Sequence, residues 1–382
     1  MTAVESPPLT QSLARGTAGT ALLHIERAHA DASAWREAHA WVQAAARGEV
    51  IVADQAGLYY GAPAIAFLLH AAQTDGVPRY GSASRTINAH VEELTRRRVA
   101  AALARIDSGQ AATFGEYDLF YGLTGLGALL LRQAPHADVL RAVLGYLVRL
   151  TRPHRTDIPG WWVNHDPDPI LPTPGGHANL GMAHGAAGIL ALLSLAAHRG
   201  VLVDGQHEII HDLCRWFDRW QRDGSSGPWW PQWISRTELA TGRLNQSGLH
   251  RPSWCYGTPG IARALQLAAK ALGDAARQRN AEDALAASVT DRAQLQAITE
   301  PGLCHGAAGL YQTTWRAARD AITPAISQAL PHLADMLQQR ADQAHTDTSF
   351  LDGTTGVALA SLTLAHPDHP PRSGWDACLL LV

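Results

Sequence analysis

Two cysteines and a histidine stand at matching places along this chain. Cys255 lies two residues before Gly257, Cys304 two before Gly306, and His305 directly before Gly306. Together they offer a Cys2His donor set, and a catalytic zinc ion typically takes three protein ligands and keeps a fourth position open. Two thiolates also neutralise the dication. A further thiol arriving at the open position would be held as thiolate near neutral pH, because metal coordination deprotonates thiols. His184, directly before Gly185, could be a general acid or base, a fourth ligand that would close the site, or a core histidine satisfied by backbone. Asp118, four residues before Gly122, could orient His184, exchange protons itself or cap a helix. Arg251, four residues before Cys255, could face an anionic intermediate or lie on the surface.

The elements that must bring these residues together are marked by glycine. Seven short steps open seven apolar runs: Gly16-Thr17-Ala18-Gly19, Gly61-Ala62-Pro63-Ala64, Gly122-Leu123-Thr124-Gly125, Gly185-Ala186-Ala187-Gly188, Gly257-Thr258-Pro259-Gly260, Gly306-Ala307-Ala308-Gly309 and Gly353-Thr354-Thr355-Gly356. Ala64 is the one departure from Gly-x-x-Gly. The first glycines are 45, 61, 63, 72, 49 and 47 residues apart, and self-similarity at that period marks an array of like units. Small residues at a helix start let neighbouring backbones approach and leave N–H groups free at the positive end of the helix dipole.

The runs behind the steps, such as 126–132, 189–197 and 261–272, are rich in alanine and leucine and apolar on nearly every side. A helix apolar all round is buried all round. Between them lie amphipathic stretches with charged faces: 32–47, 85–106, 137–150, 207–221, 281–298 and 325–341. The alternation predicts an all-α fold, an α/α-toroid of about seven inner and seven outer helices, over an open solenoid that would expose one inner face. We read residues 1–382 as one such domain.

Composition excludes several classes. With 31 Lys+Arg against 34 Asp+Glu, the formal net charge is −3, and no basic stripe points to nucleic acid. No run reaches the roughly 20 apolar residues that span a bilayer, and no secretory signal opens the chain, so a cytoplasmic protein is expected. Of the 4 cysteines, Cys214 and Cys378 sit in apolar surroundings and read as core thiols. Two stretches fall outside the repeat. Residues 152–176 carry Trp161, Trp162 and a cluster of prolines, and residues 222–252 carry Trp229, Trp230 and Trp233; each either binds peptide or caps the ring.

Trp254-Cys255-Tyr256-Gly257-Thr258-Pro259-Gly260, Cys304-His305-Gly306 and Gly181-Met182-Ala183-His184-Gly185 resemble the signature motifs of the lanthionine synthetase C-like proteins, the lanthipeptide cyclases. The resemblance implies zinc held by Cys255, Cys304 and His305. It also implies intramolecular addition of peptide cysteine thiols to dehydroalanine or dehydrobutyrine, forming thioether rings. His184 and Asp118 match the family's acid/base positions, and Arg251 and Tyr256 match further active-site positions. The implied partners are a dehydrated precursor peptide, a separate dehydratase and a transporter. Three other readings stand beside it: a prenyltransferase-like zinc enzyme, whose usual carboxylate ligand has no match here; an enzyme adding glutathione to dehydroamino acids; and a non-catalytic zinc-stabilised scaffold. A histidine standing off the metal favours the enzyme, and a ligating one favours the scaffold.

Overall fold

The structure is a computed structural model that describes residues 9–152, 158–167, 172–246, 251–343 and 346–382. Parts of both irregular stretches, 153–157, 168–171 and 247–250, lie outside the described residues.

Every glycine step opens a helix. In chain order these are α1 (Thr17–Ala30), α3 (Ala62–Ala71), α5 (Leu123–Gln133), α7 (Ala186–His198), α9 (Thr258–Leu272), α11 (Ala307–Asp320) and α13 (Thr354–Ala365). Each packs on the next, and α13 returns to α1, so the seven form a closed inner ring. Six are followed by a helix on the outside: α2 (Trp35–Ala45), α4 (Gly81–Asp107), α6 (Asp138–Thr151), α8 (Gln206–Trp220), α10 (Ala275–Thr290) and α12 (Ala325–Ala341). This is the α/α-toroid that the alternation predicts, with six outer helices among the described residues where about seven are expected. Burial follows the pattern: α7 is buried at every position from Ala186 to Ala196, α9 from Thr258 to Ala269 and α11 from Ala307 to Ala317. The outer stretch expected as one helix over 281–298 breaks at Asp291, whose side chain caps a new short helix, Arg292–Gln296.

The second glycine of each step has a steric reason. A Cβ there would meet the carbonyl oxygen of the residue six positions earlier: 2.1 Å at Gly125 (Leu119), 2.1 Å at Gly260 (Trp254) and 1.8 Å at Gly309 (Leu303). The loop before each inner helix folds back onto that helix's first turn, and only a hydrogen fits between them. These loops then join one another. Leu13 N–H donates to the Tyr59 carbonyl, Tyr59 to Phe120, Leu119 to Ala183, Met182 to Cys255, Cys255 to Cys304, Cys304 to Leu351 and Leu351 to Ala14, at 2.9–3.5 Å. Seven loops are thus tied into one circle of backbone hydrogen bonds that all run the same way round. All seven helix N-termini therefore lie at one mouth of the ring.

The bore of the ring is filled by the chain's own C-terminal segment. Trp375, Cys378, Leu379 and Leu381 are fully buried. Side chains of the inner helices clamp this segment. Glu26 accepts from Arg372 and Ser373 N–H, Arg132 donates to the Ser373 and Gly374 carbonyls, and Arg263 donates to the Leu381 carbonyl at 2.6 Å. Arg316 grips Asp376 with two bonds of 2.6 and 2.8 Å, and Gln312 adds a third at 2.6 Å. Leu380 is held at φ 54°, a conformation that persists in a non-glycine residue only where its surroundings over-determine it. The nearby guanidinium holds the Asp376 carboxyl below its ordinary range, against burial that pushes it up. Removing one partner strands the other charge in the interior, so Asp376→Ala should lower unfolding free energy by about 3–5 kcal/mol, read by denaturant titration.

Candidate metal centre and active site

The circle of loops decides which side chains meet. Its members two residues before each first glycine are Ala14, Tyr59, Phe120, Ala183, Cys255, Cys304 and Leu351, and the residues between these and the glycines are Arg15, Tyr60, Tyr121, His184, Tyr256, His305 and Asp352. Cys255 and Cys304 are neighbours because their own backbones are bonded, Cys255 N–H to the Cys304 carbonyl at 3.2 Å. Gly257, at φ 108°, makes the turn that follows Cys255-Tyr256; a side chain there would be strained.

Among the described residues, Cys255, Cys304 and His305 form the one group of potential ligands close enough to hold a metal ion, with one donor atom from each lying within 4.8 Å of the others. Cys255 is buried and the other two are half-buried. The Cys304 thiol donates to the Cys255 sulfur, and His305 and Ser253 add to it. Together they hold Cys255 well below the usual thiol range, although burial opposes this. The same shared proton, with burial, pushes Cys304 well above it. Two sulfurs that share a proton and face an imidazole suit a divalent metal of zinc's preferences. The fields of Asp352 and Arg251 also reach Cys304; Asp352 opposes the thiolate and Arg251 favours it.

His184 stands outside this cluster. Its Nδ1 is 2.6 Å from Asp118 Oδ2, and its side chain is about a quarter exposed while Asp118 is buried. Asp118 also satisfies the backbone: its Oδ1 accepts from Tyr121 N–H at 2.7 Å and Gly122 N–H at 2.8 Å. The carboxylate thus closes the turn that precedes α5 and lies within hydrogen-bond distance of His184. Tyr256 lies near His184, ring centroids 6.4 Å apart. Its hydroxyl accepts from Asn179 Nδ2 at 3.2 Å. Burial raises its phenol, with the nearby thiols and Asp118 adding to the effect, so it stays protonated.

Several supporting contacts escape a reading of the sequence. Trp254 is fully buried and its indole N–H donates to the Leu379 carbonyl at 2.9 Å. Arg98, on α4, lies in the field of Asp118 and bonds the Ala56 carbonyl at 2.9 Å. Asn179 belongs to a short strand, β1 (His177–Asn179), which pairs antiparallel with another in the second irregular stretch, Trp233–Ser235. The two stretches are thus stitched together beside the site. Trp161, Trp162, Trp229 and Trp230 are buried, and Trp233 is half-buried. No helix among the described residues is long and apolar enough to cross a membrane.

Comparison with known proteins bears on the whole arrangement. The solved structure of nisin cyclase superposes with a TM-score of 0.83, covering 98% of this chain and 92% of that chain at 20% sequence identity. Nisin biosynthesis protein NisC of Lactococcus lactis subsp. lactis is 22% identical over 315 residues, 79% of this chain and 72% of the relative. The family described as lanthionine synthetase C-like protein matches residues 7–380. A closed ring of glycine-stepped helices with a Cys-Cys-His cluster at its mouth, matched from end to end by that family, makes the chain a member of the lanthionine synthetase C-like proteins.

Proposed function

We propose that the chain is a zinc-dependent lanthipeptide cyclase. Its substrate is a precursor peptide already dehydrated by a separate enzyme, and its product is a lanthionine or methyllanthionine thioether ring. The observation that carries this reading is the division of labour at the mouth: His184 is bonded to Asp118 and stands apart from the Cys255, Cys304 and His305 cluster. A scaffold would have no use for that arrangement.

Cys255, Cys304 and His305 would hold the zinc ion, which when bound acidifies a substrate thiol and keeps it as thiolate. In the addition, the substrate sulfur forms a bond to the β-carbon of the dehydro residue. The π pair moves toward the α-carbon and amide oxygen, and a proton added at the α-carbon completes the product. The bond from Nδ1 to Asp118 leaves Nε2 of His184 as the nitrogen free to deliver or relay that proton. Asp118 fixes the tautomer, as a carboxylate does for a catalytic imidazole elsewhere. The protonated phenol of Tyr256 and the guanidinium of Arg251 offset the charge that grows on the amide oxygen.

The test uses zinc-loaded protein and a synthetic peptide with one cysteine and one dehydroalanine, with and without glutathione. Intramolecular addition is an isomerisation. The expected result is loss of the free thiol with no change in peptide mass. A glutathione adduct would instead make the chain a thiol-transfer enzyme, and no reaction at all would leave the scaffold.

A further inference from the structure

His184 has neighbours that its chemistry does not explain. The ring of Phe114 stacks on its imidazole at 5.1 Å between centroids and 20° between planes, and Phe120 stacks on it at 5.0 Å and 25°. Phe120 stacks in turn on Tyr59 at 4.4 Å and 20°. The Tyr59 hydroxyl, fully buried, donates to the Cys378 carbonyl at 2.9 Å. The four near-parallel rings thus end on the segment that fills the bore.

The other end of the stack meets the irregular stretches. His165 approaches Phe114 edge-on at 4.5 Å, and His177 does so at 5.6 Å. The Phe114 N–H points to His165 Nε2 at 3.5 Å. His177 is fully buried, and burial pushes it down to about 4, so at neutral pH it packs as an uncharged edge. Trp233, from the second stretch, lies edge-on to His177 at 6.3 Å.

We infer that Phe114, Phe120 and Tyr59 are positioning residues that set the ring plane of His184, and that the two irregular stretches and the C-terminal segment serve the site through this stack. The inference rests on the reading of His184 as the proton-transfer group. One hydrogen bond at Nδ1 fixes the direction of the ring but leaves it free to tip about that bond, and the terminal torsion of histidine is broad. Stacked faces remove that freedom, because aromatic rings prefer offset-parallel or edge-on contact at these separations. A proton donor misplaced by about 1 Å can cost on the order of 10²-fold in rate.

Phe120→Leu, in the zinc-loaded full chain, keeps an apolar side chain and loses the ring plane. The His184 ring protons, identified by their absence from a His184→Asn spectrum, should lie upfield through ring currents in the parent and move downfield in Phe120→Leu. On the cysteine-dehydroalanine peptide, kcat should fall about tenfold or more, while KM changes by less than about twofold and zinc content holds. Phe120→Tyr, which restores the ring, should restore both shift and kcat. Tyr59→Phe removes only the bond to the C-terminal segment and should move both in the same direction by less. An unchanged kcat in Phe120→Leu, a parallel loss of zinc, or no recovery in Phe120→Tyr would overturn the inference. A parent that forms no thioether sinks the cyclase reading instead, and the ring-proton shift still decides the stack: no shift between parent and Phe120→Leu removes it.

Discussion

Cys304→Ala should purify with almost no zinc, beside a parent carrying about one ion per chain, and should form no rings. The expectation follows from ligand count and from position. The cluster offers three donors and, among the described residues, no fourth histidine, cysteine, aspartate or glutamate joins it. Losing one thiolate leaves two protein ligands, too few for a stable tetrahedral site. Nor can the neighbours shift to compensate, because Cys255 and Cys304 are held by the circle of backbone bonds, Cys304 N–H to Leu351 and Cys255 N–H to Cys304. Without the ion a peptide thiol keeps its ordinary pKa of about 8.5 and is mostly protonated at pH 7. The charge stabilisation lost is several kcal/mol, which sets the fall in rate on the order of a thousandfold or more. His305→Ala should behave alike. Cys214→Ala is the control: that thiol is buried on α8, and burial pushes it up to about 11, so the variant should keep its zinc and its rate. Zinc content by elemental analysis and thiol loss on the peptide check all three. A Cys304→Ala protein that retains a full equivalent of zinc would remove Cys304 from the ligand set.

The legible parts of this molecule are those where one local constraint is repeated. The glycine steps show in the sequence because each second glycine must admit a carbonyl from six residues back, and only Ala64 departs from that rule. Ring closure is legible because helices such as α7 and α9 are apolar on nearly every face, which an open array could not bury. The Cys-Cys-His cluster is legible because two thiols occupy equivalent places in adjacent units. The parts that escape are contacts between distant residues of ordinary type. Tyr59 and Cys378 are 319 positions apart, and neither carries a mark of the other. The tail Leu379-Leu380-Leu381 reads as core, but its place in the bore depends on Arg132, Arg263 and Arg316, three arginines on three different helices. Phe114 and Phe120 follow no period. The break at Asp291 was within reach, since aspartate is a strong helix-starting residue, but the apolar period continues across it.

The second large effect separates proton transfer from metal binding. His184→Asn should keep its zinc and its thermal midpoint, and should lose cyclisation by on the order of 10²–10⁴-fold, the usual worth of a positioned acid or base. The substitution is conservative toward Asp118, since the asparagine amide can donate toward the carboxylate as Nδ1–H does. The turn bonds from Tyr121 and Gly122 to Asp118 Oδ1 do not involve His184 at all. What disappears is the titrating nitrogen. Asp118→Asn makes the complementary change. Its carbonyl can still accept from the two N–H groups of the turn, so the loop before α5 should hold, but the charge that fixes the His184 tautomer is gone, and the rate should fall with zinc unchanged. If the two single variants and their double variant lose rate to a similar extent, the pair acts as one unit, as coupled catalytic groups do. Simple multiplication of the two losses would give Asp118 a role of its own in moving the proton. Loss of zinc from His184→Asn would place His184 in the ligand set and overturn its assignment as the proton-transfer group.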